Sequence, residues 1–268
     1  MGLLSVFLEV TVVVSVLLAV GAVTIVGPGR LQQEFPELRA RLQSAVRPFL
    51  LLVAVLAVNS VVREIGVGLS WLLGNNITGA IYAIEGTVVA TIQSLSPVWL
   101  TMYLGFVYVY GYAFLLVFPP LATLLLPEEQ HLRETAAAYT VNYVVGLVCY
   151  VLFVAYGPRN FAPDLVSPLL YDTMPRFQLV TSQVNANTNV FPSLHTSLSV
   201  TVAFLAYRTR DYYPRWLPVA SFLAISVILS TMVLGIHWAT DVVFGILLGI
   251  LSVRVATHPK IQSSALWS

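Results

Sequence analysis

The sequence predicts an all-α, polytopic membrane protein, a bundle of about six to seven transmembrane helices. Three observations predict this class. Of the 268 residues, 58% are hydrophobic and only 9% are charged, whereas a soluble domain carries about 25% charged residues. The mean hydropathy is +0.85. Several stretches also approach the length of about 20 apolar residues that a helix needs to cross a bilayer. So few charges cannot cover a water-soluble fold, which excludes a soluble enzyme, a disordered chain and a coiled coil.

Apolar stretches account for most of the chain. The candidate spans are residues 3–26, 48–73, 98–118, 136–156, 192–207, 216–236 and 238–256. The first is too long for the apolar region of a signal peptide and no basic residue precedes it, so we expect a retained span. The second is interrupted by polar residues between Asn59 and Glu64, which predicts a kink or an early end. The fifth is short and begins at Pro192. Residues 76–96 contain Glu85 and two glycines, which predicts an interfacial or partly buried helix.

Arginine distribution predicts the orientation of the spans. Arginines concentrate in loops 27–47 and 208–215, and basic residues recur in the tail after Arg254. With seven spans, these regions fall on one side, which we take as cytoplasmic. Loop 127–135 also falls there, although it is more acidic than basic. The long loop 157–191 then faces the other side.

Charge and cysteine usage exclude two further classes of interaction. The formal net charge is +1, so no basic surface is available for nucleic acid, and we expect no nucleic-acid partner. Cys149 is the only cysteine, so the chain cannot form an intrachain disulfide.

Two histidines lie at the ends of apolar spans on the same predicted face of the membrane. His195 begins the fifth span and His237 begins the last. Asp241 follows His237 by four residues, which places both on one face of a helix. A carboxylate beside an imidazole fixes its tautomer and stabilises its cation. Because an ionisable group at this depth is costly, Asp241 indicates function, the alternative being a role in helix packing.

The residues before His195 predict an anion site. Pro192 and Ser193 are typical of a helix start, with Ser193 as the cap. A helix N-terminus presents N–H groups and a positive dipole end, both suited to a phosphate. Two histidines and one aspartate could also ligate zinc. However, the sequence has neither a His-Glu-x-x-His helix nor a cysteine pair, so we expect no metal.

These motifs resemble those of the type 2 phosphatidic acid phosphatase superfamily. Its Pro-Ser-Gly-His motif is matched by residues 192–195, with Leu194 in place of glycine. Its Ser-Arg-x5-His-x3-Asp motif is matched in spacing by residues 230–241, with Thr231 in place of arginine. The resemblance covers about residues 98–256 and implies a helical core like that of the family.

Both departures are similar to the inositol phosphorylceramide synthase branch, which transfers a phosphoryl-alcohol head group between lipids. The family's Lys-x6-Arg-Pro motif is absent, since Arg47-Pro48 has Ala40 at the lysine position. Arg159, after the fourth span, resembles the arginine of a Pro-Pro-Arg element in that branch. With fewer cations, the site favours a phosphodiester over a dianionic phosphomonoester.

The resemblance implies a role for each site residue. His237 would be the nucleophile, Asp241 would orient it, and His195 would act as acid and then as base. Arg159 and Ser193 would bind the phosphate, with Arg176 as a further candidate. The resemblance implies no cofactor and no metal.

The chain is accordingly divided into residues 1–97 (N-terminal spans and interfacial helix), 98–256 (catalytic core) and 257–268 (tail). The implied function is metal-independent phosphoryl transfer through a phosphohistidine, acting on a membrane lipid phosphate or phosphodiester in the bilayer. The acceptor is water or an alcohol such as inositol, and the site faces the non-cytoplasmic side.

Two alternatives to this function remain: a proton-coupled transporter, and a catalytically inactive lipid-binding member of the fold. Glycines at 245 and 249 are expected to allow close helix packing.

Overall fold

Helices make up most of this computed structural model, which describes residues 3–178 and 190–263. The α-helices are α1 (Leu3–Gly21), α2 (Pro28–Glu34), α3 (Leu38–Leu73), α4 (Thr78–Glu85), α5 (Val88–Ser94), α6 (Val98–Phe106), α7 (Tyr112–Leu124), α8 (Gln130–Leu152), α9 (Pro158–Phe161), α10 (Leu169–Thr173), α11 (Leu194–Arg208), α12 (Trp216–Val233), α13 (Ala239–Ala256) and α14 (Pro259–Gln262). A π-helical turn, Ala22–Val26, extends α1, and another, Val107–Gly111, joins α6 to α7. Short 3-10 turns occur at Phe35–Glu37 and Pro175–Phe177.

Five helical segments among the described residues are long and apolar enough to cross a membrane. They are Leu3–Val26, Val98–Leu124, Gln130–Leu152, Trp216–Val233 and Ala239–Ala256. A bent pair, Pro28–Gln43 and Val46–Val62, meets at 62° and makes a sixth span if it is counted as one. The all-α, polytopic fold class is therefore confirmed. The fifth predicted span yields α11, which at 15 residues is shorter than these spans.

Helix α13 shows how the bundle packs. Large side chains such as Val243, Leu247 and Leu251 point outward, whereas Gly245 and Gly249 are turned inward. A Cβ on Gly245 would lie 2.6 Å from the carbonyl oxygen of Ser193, and one on Gly249 would lie 2.6 Å from that of Ser197. The predicted close packing is confirmed, because α11 and α13 approach at these glycines to a distance that no side chain would allow.

Hydroxyl and amide groups line the interior face of α11. Ser197, Ser199 and Thr201 are fully buried. Asn142 of α8 donates its side-chain N–H to the Thr201 hydroxyl at 2.9 Å. Such contacts between neighbouring helices stabilise a bundle whose exterior is as apolar as lipid.

The arginine-rich loops lie together at one end of the bundle. Arg208 at the end of α11 makes a two-pronged ion pair with buried Glu134 of α8, at 2.9 and 2.7 Å. Arg30 lies over the rings of Tyr212 and Tyr213. Burial raises the pKa of Tyr213 to about 12, so it remains a neutral donor to the Ala122 carbonyl. The acidic character of loop 127–135 is thus matched by an arginine from loop 208–215.

At the opposite end, short elements cover the starts of α11 and α13. Strand β1 (Asn75–Asn76) pairs in parallel with β2 (Phe153–Val154). The predicted interfacial helix is divided into α4 and α5 at Gly86, whose φ is +54°. Ile81 and Val89 of these helices are buried in one cluster with Trp238. The predicted N-terminal part therefore packs directly on the helical core.

Candidate active site

His195 lies in the first turn of α11. Ser193 caps this helix as predicted, since its hydroxyl accepts a hydrogen bond from the Thr196 N–H at 3.3 Å. The peptide bond between Phe191 and Pro192 is cis. The N–H of Ser193 donates to the Asp241 carbonyl oxygen at 3.0 Å. The start of α11 is thereby joined to the first turn of α13.

Two tyrosines hold the His195 ring. Tyr108 stacks on it with the ring centroids 4.6 Å apart and the planes 18° apart, and the Tyr112 centroid lies at 4.3 Å. Tyr108 belongs to the π-turn Val107–Gly111, a local departure that is frequent at functional sites. Neither tyrosine is predictable as a site residue from the sequence, because nothing distinguishes them within an apolar span.

His237 lies in the turn between α12 and α13. The chain reverses at Gly235, whose φ of +68° is readily adopted by glycine. The Thr231 carbonyl oxygen accepts from the N–H groups of Ile236 at 2.9 Å and His237 at 3.0 Å. The Thr231 hydroxyl donates to the Ile228 carbonyl at 2.7 Å. The residue that replaces the family arginine therefore shapes the turn and adds no charge.

Asp241 lies beside the His237 ring. Its Oδ2 lies 3.4 Å from His237 Nδ1 and accepts the Trp238 N–H at 2.9 Å. The predicted proximity of His237 and Asp241 is found, but His237 precedes α13 and Asp241 lies in its first turn, so the two side chains meet at the helix start and do not share a helix face. Both side chains are buried. Because Nδ1 faces the carboxylate, Nε2 is the ring nitrogen available to a ligand.

The two histidines meet at one site. Their ring centroids are 6.2 Å apart and their planes are inclined by 56°. The residues are 42 positions apart in the sequence, yet both rings lie at the end of the bundle opposite Arg208 and Arg254. Two histidines predicted to lie on the same face of the membrane are therefore neighbours in the structure.

The backbone of Arg159 is hydrogen-bonded to the turn that carries His237. Its N–H donates to the Gly235 carbonyl at 3.2 Å, and the Trp238 indole N–H donates to the Tyr156 carbonyl at 2.8 Å. The guanidinium lies over the Tyr171 ring at 4.6 Å and donates to its hydroxyl at 3.1 Å. Its Nη1 is buried and has no hydrogen-bond partner among the described residues. One nitrogen of this cation is therefore available to an anion.

Arg176 is placed differently. Its guanidinium forms an ion pair with Glu9 of α1 at 2.8 Å and lies over the Phe177 ring. Glu9 also accepts the Tyr110 hydroxyl. These contacts join the long loop to α1, and they give no support to the predicted phosphate role of Arg176. Residues 179–189 of that loop lie outside the described residues.

Leu194 occupies the space that a glycine at position 146 provides. A Cβ on Gly146 would lie 2.7 Å from Leu194 Cδ2. Leu194 also packs in one cluster with Tyr150 and Leu248. The leucine that replaces the family glycine is thus accommodated between helices α8 and α13.

A known protein family matches the part of the chain that contains this site. The family model described as the PAP2 superfamily matches residues 85–255, more than half of the chain, and the chain belongs to this superfamily. No curated protein matches, and no solved structure matches. Membership supports an activity of the phosphatase or phosphotransferase type. Among the side chains that the structure describes, no group of three His, Cys, Asp or Glu residues is placed to hold a metal ion.

Proposed function

We propose that the protein transfers a phosphoryl group from a membrane lipid phosphate or phosphodiester through a phosphohistidine on His237. One observation carries the proposal: the rings of His195 and His237 are 6.2 Å apart, and Asp241 lies behind His237. Reacting atoms lie about 3–3.5 Å apart in a productive arrangement, and two rings whose centroids are 6.2 Å apart are close enough for both to contact one phosphate group.

In the first step, His237 Nε2 attacks phosphorus. The new N–P bond forms as the P–O bond to the leaving lipid alcohol breaks, and His195 donates a proton to the leaving oxygen. Asp241 accepts the Nδ1–H of His237 and stabilises the positive charge that develops on the ring. The products of this step are the neutral alcohol and a phosphorylated His237.

In the second step, His195 acts as the base. It removes a proton from water or from an alcohol, whose oxygen then attacks phosphorus, and the N–P bond breaks to regenerate neutral His237. If water is the acceptor, the reaction is hydrolysis. If an alcohol such as inositol is the acceptor, the reaction is phosphoryl transfer to that alcohol. His195 ends in the protonated form from which the next cycle begins.

The charge of the site favours a substrate that carries one negative charge. Arg159 is a cation on the His237 turn, whereas Thr231 is neutral and Arg176 is paired with Glu9. Arg159 would bind one non-bridging oxygen through charge-assisted hydrogen bonds, and the start of α11 would bind another. A phosphodiester, with one charge, needs less compensation than a dianionic phosphomonoester. This charge balance supports the inositol phosphorylceramide synthase-like branch.

The site is proposed to face the non-cytoplasmic side. His195 and His237 lie at the opposite ends of α11 and α13 from Arg208 and Arg254. Arginine-rich ends of membrane helices remain predominantly cytoplasmic. A lipid substrate would then reach the histidines from the outer leaflet.

The experiment uses the purified full chain in nanodiscs with EDTA. Phosphatidic acid and a phosphodiester lipid are supplied separately, each with and without inositol. With phosphatidic acid, free phosphate indicates hydrolysis and inositol phosphate indicates transfer to the alcohol. With the phosphodiester lipid, the corresponding products are the phosphomonoester of the head group and its phosphodiester with inositol. Mass spectrometry under alkaline conditions detects the acid-labile adduct on His237.

Two variants complete the test. His237→Ala is expected to abolish turnover and the adduct, whereas His258→Ala, an exposed histidine at the other end of the bundle, retains both. Equal activity of wild type and His237→Ala would contradict the proposal. An adduct excludes the inactive lipid-binding alternative, whereas proton-linked flux in liposomes without any adduct would favour the transporter.

A further inference from the structure

The first backbone N–H groups of α13 are bound by two carboxylates. Asp241 accepts from the Trp238 N–H, and Glu85 accepts from the next two, those of Ala239 at 2.8 Å and of Thr240. A helix leaves its first N–H groups without intrahelical partners. Here each of three successive donors has a carboxylate oxygen. Three of the four donors at the start of α13 are therefore capped by carboxylates, which come from two separate parts of the chain.

Glu85 reaches this position from outside the predicted catalytic core. It is the last residue of α4, and Gly86 turns the chain immediately after it with a φ of +54°. Ile81 and Val89 anchor the two flanking helices in the cluster that includes Trp238. The carboxylate is thus fixed on both sides by apolar packing.

We propose that Glu85 is a positioning residue that holds the first turn of α13, and with it the His237–Asp241 pair. This inference rests on the proposed function of that pair. Glu85 accepts hydrogen bonds from the Ala239 and Thr240 amides. It acts through these amides, which lie between His237 and Asp241 in the sequence. A carboxylate is also favourable at the positive end of a helix.

Loss of Glu85 has a definite consequence. Two amides would lose their acceptors, and the first turn of α13 would open more often. Asp241 both accepts the Trp238 N–H and faces His237 Nδ1, so opening of this turn alters the geometry of the nucleophile. Displacements of about 1 Å at a reacting group reduce rates about 100-fold. Substrate binding at Arg159 and α11 would be affected much less.

The experiment compares Glu85→Ala, Glu85→Gln and Glu85→Asp in the full chain. Asp164→Asn removes an exposed carboxylate from the long loop and is the matched control for Glu85→Gln. Amide hydrogen exchange of peptides spanning residues 237–244 reports the state of the turn without requiring turnover. Steady-state kinetics with the lipid substrate report kcat and KM separately.

We expect Glu85→Ala to exchange about tenfold faster in these peptides and to lower kcat by about 10- to 100-fold, with KM changed less than about twofold. Glu85→Asp keeps both acceptor oxygens and the charge, so it should recover part of the loss. Glu85→Gln should recover less, and Asp164→Asn should behave as wild type.

Unchanged exchange in Glu85→Ala would overturn the inference, as would faster exchange with a wild-type kcat. A rise in KM at constant kcat would also overturn it, since that result identifies a substrate contact. If the wild-type chain transfers no phosphoryl group, the proposed function fails. The exchange data would then still decide whether Glu85 holds the turn.

Discussion

Replacing Gly245 by alanine measures how closely α11 and α13 pack beneath the two histidines. A Cβ at this position would lie 2.6 Å from the Ser193 carbonyl oxygen and 2.9 Å from Thr196 Cβ. Ordinary contacts begin near 3.5 Å. The helices must therefore separate by several tenths of an ångström at the level of the Ser193 cap.

The magnitude follows from two opposing effects. Adding a methyl group to a close-packed contact costs about 1–3 kcal/mol. Alanine is favoured over glycine within a helix by about 0.5–1 kcal/mol. We therefore expect Gly245→Ala to lower the free energy of unfolding by about 1–2 kcal/mol. Activity per folded molecule should also fall, because the Ser193 N–H bond to the Asp241 carbonyl spans the interface that is forced apart.

Substitutions at two further glycines distinguish the effect of helix packing on stability from its effect on the geometry of the site. Gly249 makes the same kind of contact, with Ser197 and Val200, one turn farther from the histidines. Gly249→Ala should lower stability similarly, with a smaller loss of activity. Gly79 lies in α4 with open space around it, so Gly79→Ala should be neutral or slightly stabilising. Thermal unfolding in nanodiscs and phosphoryl-transfer rates give both quantities.

The result that refutes this reasoning is simple to recognise. If Gly245→Ala unfolds at or above the wild-type temperature, as expected for Gly79→Ala, the helices do not approach as closely as described. Equal activity losses in Gly245→Ala and Gly249→Ala would refute the link between the Ser193 contact and the site.

Three other substitutions test separate parts of the molecule. Asp241→Asn should lower kcat by about 100-fold or more at little change in KM, because an amide no longer stabilises the His237 cation; a wild-type kcat would contradict this role. Arg159→Lys should lower kcat/KM by about tenfold, because an ammonium cannot reproduce the stacked, forked guanidinium; an unchanged kcat/KM would exclude Arg159 from phosphate binding. Glu134→Gln should destabilise the protein by about 1–3 kcal/mol, since the buried carboxylate pairs with partly exposed Arg208. Its activity per folded molecule should be unchanged, and a wild-type unfolding temperature would contradict the expectation.

The span pattern was predictable because membrane insertion depends on local composition. The first span, Leu3–Val26, agrees with its predicted bounds. By contrast, α8 begins at Gln130, six residues before the predicted start. Its polar first turns are helical because Glu134 is paired with Arg208, a contact 74 residues away in sequence. The hydropathy of residues 130–135 gives no information about a partner so far away in the sequence, so the start of α8 could not be predicted from it.

The candidate site was predictable where its signal is short-range. His237 and Asp241 are four residues apart at a helix start, and the Ser193 cap adjoins His195, so short spacing along the chain brings each pair together. Tyr108, Tyr171 and Glu85 had no such signal, because each reaches the site from a distant element. Glu85 in particular was assigned to an interfacial helix.

The sequence by itself determined that several helices are apolar enough to cross a membrane, that His195 and His237 adjoin the starts of two helices, and that Asp241 lies near His237. These properties depend on composition and on spacing within a single helix. The tertiary structure decided which groups surround the two histidines: the tyrosines on His195, Arg159 on the His237 turn, and Glu85 on the start of α13. It also decided that Arg176 pairs with Glu9 and not with the site. The reason is that such contacts depend on how separate helices pack, and packing brings together residues whose spacing along the chain carries no information about their separation in space.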